Sequence, residues 1–321
     1  MSTQTRLSYV TLDVFTTNRF TGNPLGVVRL PSGQSLTQIQ KQTIAREFNY
    51  SETIFIHETE DKVAEHRIDI FMTDTELPFA GHPTIGAAWF LATSQPSNND
   101  SNINKTIITK AGSIPYQFDT ELGTVFIDVP HDVHVHKHQM SKEEAAEAGI
   151  PTSLAQKILG PSSFVSIVKG VTFVMVELPS NNILSTVTGS VIPNKLRDGL
   201  DHPWFDGVLL GTWYFVNNGW GENGTVQISS RMIMHDGALE DPATGSAASA
   251  FSVYWTKRMW ADREEGTSDS FDISFNIEQG ADMGRPSKIQ TKVVLDWKSA
   301  AVRRVVLGGS AVQVMEGHLV I

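Results

Sequence analysis

The stretch Thr84-Ile85-Gly86-Ala87-Ala88-Trp89-Phe90-Leu91-Ala92 constrains the fold of this chain more than any other. It follows Pro83, whose missing N–H costs nothing in a first helical turn, and it is apolar on nearly every side. A helix without a polar face has to be buried all round. The segments before it read as strands: Tyr9–Phe15, Leu25–Val28, Glu52–Ile56 and the alternating Arg67–Thr73. The expectation is therefore a curved sheet or barrel wrapped about a central helix. A second small-residue helix opens at Glu240-Asp241-Pro242-Ala243-Thr244-Gly245-Ser246-Ala247 and runs to about Lys257. Laying His82-Pro83-x-x-Gly86 on Asp241-Pro242-x-x-Gly245 gives an offset of 159 residues, close to half the chain. Two similar halves, each built round one helix, are expected.

The 321 residues suit two domains, drawn here at 1–132 and 133–321, with the strand near 312–321 a candidate to return to the first half. Between the strands a helix reads from Ser35, with Gln38 in the capping-box position, and ends at Asn49-Tyr50-Ser51. A second capped helix starts at Ser141, with Glu144 three residues on.

Composition narrows the chemistry. A net charge of −10 with no basic run argues against a nucleic-acid partner. No window approaches the roughly 18 to 20 apolar residues that span a bilayer, and MSTQTRLSYV lacks a signal-peptide core, so no membrane partner and a cytoplasmic location are expected. The chain contains no cysteine, which removes disulfides, zinc–thiolate sites and thiol nucleophiles together. Proton transfer is left to carboxylates, His, Lys or Tyr.

The starts of the two buried helices are the natural places to look. A first helical turn offers unpaired N–H groups and a partial positive charge, which suit an anionic ligand. Gly81, Gly245 and Ser246 are small enough to let one approach, and His82 and Asp241 each precede a proline there. Locally, Asp241 reads equally well as an N-cap and His82 as a turn residue. Glu52, in Ser51-Glu52-Thr53, reads as a solvated carboxylate that nothing in spacing prefers over Glu47. Two further motifs carry little. Gly219-x-Gly221-x-x-Gly224 precedes a strand where a dinucleotide site needs a helix. His131, His134, His136 and His138 lack the acidic or thiol partners that complete a metal site, so no metal is expected.

Four segments, in order, resemble the PhzF family: Gly22-Asn23-Pro24, Ala45 to Thr53, Glu76 to Pro83, and Glu240-Asp241-Pro242-Ala243-Thr244-Gly245-Ser246-Ala247. Gly280 to Pro286 resembles a fifth. The resemblance spans the chain and implies an α+β, diaminopimelate-epimerase-like fold of two pseudo-symmetric domains. It implies a homodimer and a cofactor-independent isomerase that moves a proton within a small, carboxylate-bearing cyclic or unsaturated metabolite. It assigns Glu52 as acid and base, His82 and Asp241 as its catalytic partners, and Gly81, Ser246, Gly245 and Ser51 to substrate binding. Related epimerases use a cysteine pair, a mechanism closed to this chain. The alternative is a catalytically idle metabolite- or protein-binding member of the same fold. Met232 to Gly237 and Thr212 to Gly224 depart from the family pattern, which points to a substrate of its own.

Overall fold

The computed structural model describes residues 5–59, 65–94, 105–189, 197, 199–205, 209–234, 239–264 and 268–321. It divides into two compact units, Met1–Asp128 with Gly308–Ile321, and Val129–Leu307.

The first unit is a mixed sheet closed over one helix. Strand β1 (Arg6–Val14) lies between β2 (Asn23–Leu30) and β18 (Ala311–Val320), antiparallel to both. Then β2 pairs in parallel with β3 (Glu52–His57), and β3 antiparallel with β4 (Glu65–Phe71). Next, β4 pairs with the two-residue β5 (Glu76–Leu77) and, in parallel, with β6 (Lys105–Thr109). Strands β7 (Gly112–Asp119) and β8 (Thr124–Asp128) complete the meander. Helix α1 (Gln38–Phe48) packs on the outer face, where Phe55, Phe71, Val28 and Ala45 form a core. Its N-cap is Thr37 with Gln40, rather than Ser35 with Gln38; both pairs fit the capping-box spacing, and the one that bonds lies two residues later. Helix α2 (Gly81–Ser94) is the all-round apolar segment, touched by β1, β2, β3, β7, β8 and β18. Gly86 lets it press against Leu25 and Val14, so tightly that a Cβ there would collide with both.

The second unit repeats this plan. Strand β9 (His134–Met140) pairs with β10 (Ser162–Val168), and β10 with β11 (Val171–Glu177). Then β11 runs parallel to β12 (Leu209–Trp220), which is antiparallel to β13 (Val226–Met234). Finally β13 pairs with the two-residue β14 (Glu240–Asp241) and, in parallel, with β15 (Ser270–Gln279), followed by β16 (Ser287–Asp296) and β17 (Val302–Gly309). Short helices α3 (Lys142–Glu147), α4 (Thr152–Ala155) and α5 (Asn181–Leu184) cover an outer core that includes Phe164, Val174 and Tyr214. The central helix α6 (Gly245–Ala261) packs through rings, Phe251 lying 4.5 Å from Trp213 and 4.7 Å from Phe215.

The registers correct the repeat read from sequence. Each short strand precedes its helix in the same way, so Glu76-x-Pro78-x-x-Gly81 matches Glu240-x-Pro242-x-x-Gly245. Spacing alone misaligned the halves because Pro-x-x-Gly occurs twice near α2, once before it and once inside it. Following the pairing from β14 back through β13 to β12, Leu77 matches Asp241, Ile70 matches Met232 and Glu52 matches Gly211.

Candidate active site

Glu52 owes its position to the end of α1. Asn49 adopts the left-handed conformation (φ 55°) that stops the helix, and the chain turns at once into β3. Phe55 faces the core under α1, so strand alternation sends Glu52 to the opposite face, towards α2. There its Oε2 lies 3.2 Å from His82 Nδ1, with side-chain exposures of 15% for Glu52 and 5% for His82. Burial pushes the Glu52 carboxyl up to about 6, against a smaller downward pull from the Ser51 hydroxyl.

His82 is the second residue of α2, and its other ring nitrogen, Nε2, lies 3.3 Å from the Pro24 carbonyl oxygen. A carbonyl only accepts, so Nε2 carries a hydrogen and Nδ1 is the atom that exchanges with Glu52. A proton held between Oε2 and Nδ1 would give a neutral acid beside a neutral imidazole or an ion pair. Either way the pair holds a group that can take a proton and one that can return it. Gly81, buried at the first position of α2, adds no side chain of its own at the helix start.

The second unit presents a different arrangement. Asp241 Oδ2 accepts a hydrogen bond from Thr244 Oγ1 at 2.6 Å, and Oδ1 accepts from the Ala243 N–H at 3.3 Å. The N-cap position of α6 belongs to Thr244, not Asp241, and its hydroxyl makes no capping bond because it is directed at the carboxylate. The first turn of α6, opened by the buried Gly245 and the half-buried Ser246, therefore has no side-chain cap. The structure thus groups Ser51, Glu52, Gly81 and His82 in one unit, and Asp241, Gly245 and Ser246 in the other.

Residues 12–317 match the sequence model of the PhzC-PhzF family, described as phenazine biosynthesis-like protein. The chain belongs to this family. An isomerase of Mesorhizobium japonicum, itself uncharacterised, is 30% identical over 99% of this chain and 100% of its own. The trans-2,3-dihydro-3-hydroxyanthranilate isomerase of Pseudomonas chlororaphis is 27% identical over 98% of this chain and 99% of its own. A PhzF-family phenazine biosynthesis protein of Bacillus anthracis has the same fold, with a TM-score of 0.75, 24% identity and coverage of 99% and 100%. The family resemblance read from the motifs is borne out, and so is the α+β fold of two similar halves.

Beside the PhzF motifs, the structure adds residues that sequence reasoning passed over. Gln279 is fully buried and bonds to both Thr244 and the Asp241 carbonyl; its one signal was its place directly before Gly280 of the matched segment. Asp201 joins the histidine cluster, with Oδ2 at 2.9 Å from His134 Nε2. A metal finds no ready lone pair on His136: Nδ1 accepts the Asp201 N–H at 3.0 Å, which leaves the hydrogen on Nε2, facing Ser166 at 2.8 Å. Burial, aided by His134, lowers the His136 pKa to about 4, with Asp201 opposing. The Gly219–Gly224 motif spans the end of β12 and the turn into β13, as a hairpin and not a strand-to-helix cradle. His235 to Gly237 lie outside the described residues. Among the described residues no helix is long and apolar enough to cross a membrane.

Proposed function

We propose that the protein is a PhzF-type isomerase in which Glu52 carries a proton from one carbon of a small, carboxylate-bearing cyclic or unsaturated metabolite to another. The Glu52 carboxylate takes the proton as the C–H bond breaks, and the electron pair enters the conjugated system. The neutral Glu52 acid, whose carboxyl proton exchanges with solvent, then protonates a different carbon, a new C–H bond forms, and the carboxylate is restored. No electrons are gained or lost overall, so the cycle needs no oxidant or reductant.

The observation that carries this reading is the pairing of Glu52 with His82 at a buried helix start. A shuttle must be a base in one step and an acid in the next, which works best when its pKa lies near the working pH. Glu52, raised to about 6 by burial, meets that condition far better than an exposed carboxylate. His82 can hold the proton on Nδ1 while substrate or product exchanges. The relatives named trans-2,3-dihydro-3-hydroxyanthranilate isomerases make that cyclic amino acid the first compound to try.

The test is proton exchange in D2O with that compound. Wild-type enzyme is expected to place deuterium on a ring carbon, and Glu52→Gln to lose about 10³-fold in kcat with KM changed by less than about threefold. Undiminished exchange by Glu52→Gln removes Glu52 from the mechanism. A wild-type protein that binds but never exchanges any cyclic acid of this kind is instead an idle binding member of the family.

A further inference from the structure

The amide of Gln279 uses all of its hydrogen-bonding capacity, three bonds on the segment before α6 and one on Trp213 of β12. Its Nε2 donates to the Asp241 carbonyl oxygen at 2.8 Å and to Thr244 Oγ1 at 3.0 Å. Its Oε1 accepts from the Thr244 N–H and from the Trp213 indole N–H, each at 3.3 Å. The amide cannot be flipped, since its NH2 would then face two donors. Thr244 is fixed in turn: its oxygen accepts from Gln279, so its single hydrogen is directed at Asp241 Oδ2.

The other unit shows that the fold does not require this chain of bonds. By the register of β13 with β15 and of β4 with β6, the position of Gln279 is held by Thr109 in the first unit. Asp241 is matched by Leu77, and Thr244 by Ala80. Thr109 turns away to its own hairpin, accepting from the Ala111 N–H and donating to the Gly112 carbonyl. A central helix thus starts after the same short strand with Leu, Ala and Thr where the second unit has Asp, Thr and Gln. Four buried or half-buried bonds that the architecture can do without point to a task at the carboxylate itself.

We infer that Gln279 is a positioning residue, which holds the Thr244 hydroxyl in the one orientation that fixes the Asp241 carboxylate for its part in the reaction. The inference rests on the isomerase reading for the word reaction, but not for the orientation. Trp213 is the outer anchor of the relay, and Gly280 protects it: its φ is +77°, and a Cβ there would lie 2.6 Å from both the Pro242 and Arg285 carbonyl oxygens.

The test pairs Thr244→Val, which keeps the shape and removes the hydroxyl, with Thr244→Ser, which keeps the hydroxyl. Gln279→Glu, in which an oxygen replaces the NH2, is the third variant. Crystal structures are expected to show the Asp241 carboxylate rotated in Thr244→Val and Gln279→Glu, and in its native orientation in Thr244→Ser. With trans-2,3-dihydro-3-hydroxyanthranilate in D2O, Thr244→Val is expected to lose about 10- to 100-fold in kcat with little change in KM, and Thr244→Ser less than about threefold. An unmoved carboxylate in Thr244→Val overturns the inference, as does a loss in Thr244→Ser equal to that in Thr244→Val. If wild type leaves this compound untouched, the proposed substrate fails, while the orientation of Asp241 in the variants still decides the role of Gln279.

Discussion

The two units share a strand order, a two-residue strand before the central helix, and a Glu-x-Pro-x-x-Gly entry to it, yet they equip that entry in opposite ways. In the first unit the strand facing the helix start carries Glu52, and the helix carries His82, an exchanging pair. In the second, the position of Glu52 is Gly211, and polarity has moved to the loop, as Asp241 and Thr244, backed by Gln279. The common frame has a visible job in both. Glu76 pairs with Lys110, and Glu240 makes two bonds with Arg231, at 2.9 and 2.7 Å, so each glutamate pins the approach to its helix. Frame residues recur because the fold needs them, whereas the chemical groups stand at positions that do not match. On the proposed mechanism, internal repetition marks scaffold, and departures from it mark the groups assigned to the chemistry.

That contrast can be broken most forcefully at Gly211. A Cβ there would meet the Ile233 carbonyl and come within 2.8 Å of Met232 Cε and 3.0 Å of Met234 Cα. Gly211→Ala is expected to cost about 2–4 kcal/mol in denaturant unfolding, because sheet backbone has to give way. If it costs nothing, the second unit could have housed a carboxylate where the first does, and the division of chemistry has another origin.

Gly280→Ala should cost less, about 2 kcal/mol, through the left-handed backbone and the crowding against Pro242. It sharpens the contrast if kcat falls well beyond what the lost stability explains.

The smallest effect is on the pH dependence of stability. Glu52 has a folded-state pKa raised from 4.5 to about 6, so its stabilising contribution is complete below about pH 4.5 and lost as pH rises through 6. Glu52→Gln escapes that loss. It is expected to match wild type at pH 4 and to be more stable by about 1–2 kcal/mol at pH 8, measured by urea unfolding. The reverse order at pH 8 would mean that the His82 pairing outweighs burial. The same raised pKa predicts that kcat/KM climbs with pH through about 6 as the carboxylate forms.

Much of the architecture was legible because it follows from hydrophobic pattern: an apolar helix with no polar face has to be enclosed, and Thr84 to Ala92 is enclosed. The site was legible mainly through motif resemblance. Glu52 looks like a surface residue because its burial comes from β2 and β4 on either side and α2 beyond, none of them adjacent in sequence. Asp201 meets His134 across 67 residues, and Gln279 meets Trp213 across 66, so local spacing held no trace of either. The capping of α1 went to Thr37 over Ser35 because both satisfy the same spacing, and tertiary packing chose between them.

The pairing of β18 with β1 bears on the timing of synthesis. Strand β1 is made long before β18, and one of its edges is covered only when Ala311 to Val320 arrive, with Thr5 and Ile321 exchanging backbone bonds at 3.1 and 2.9 Å. On a ribosome adding about 5–20 residues per second, every strand of the second unit emerges before the first unit can close its sheet. For those many seconds the edge of β1, with Leu7, Val10 and Leu12 beside it, is open to any passing strand. Linking β18 directly to β1 and opening the chain near residue 129 would let the two strands emerge together, and would shorten the life of that exposed edge.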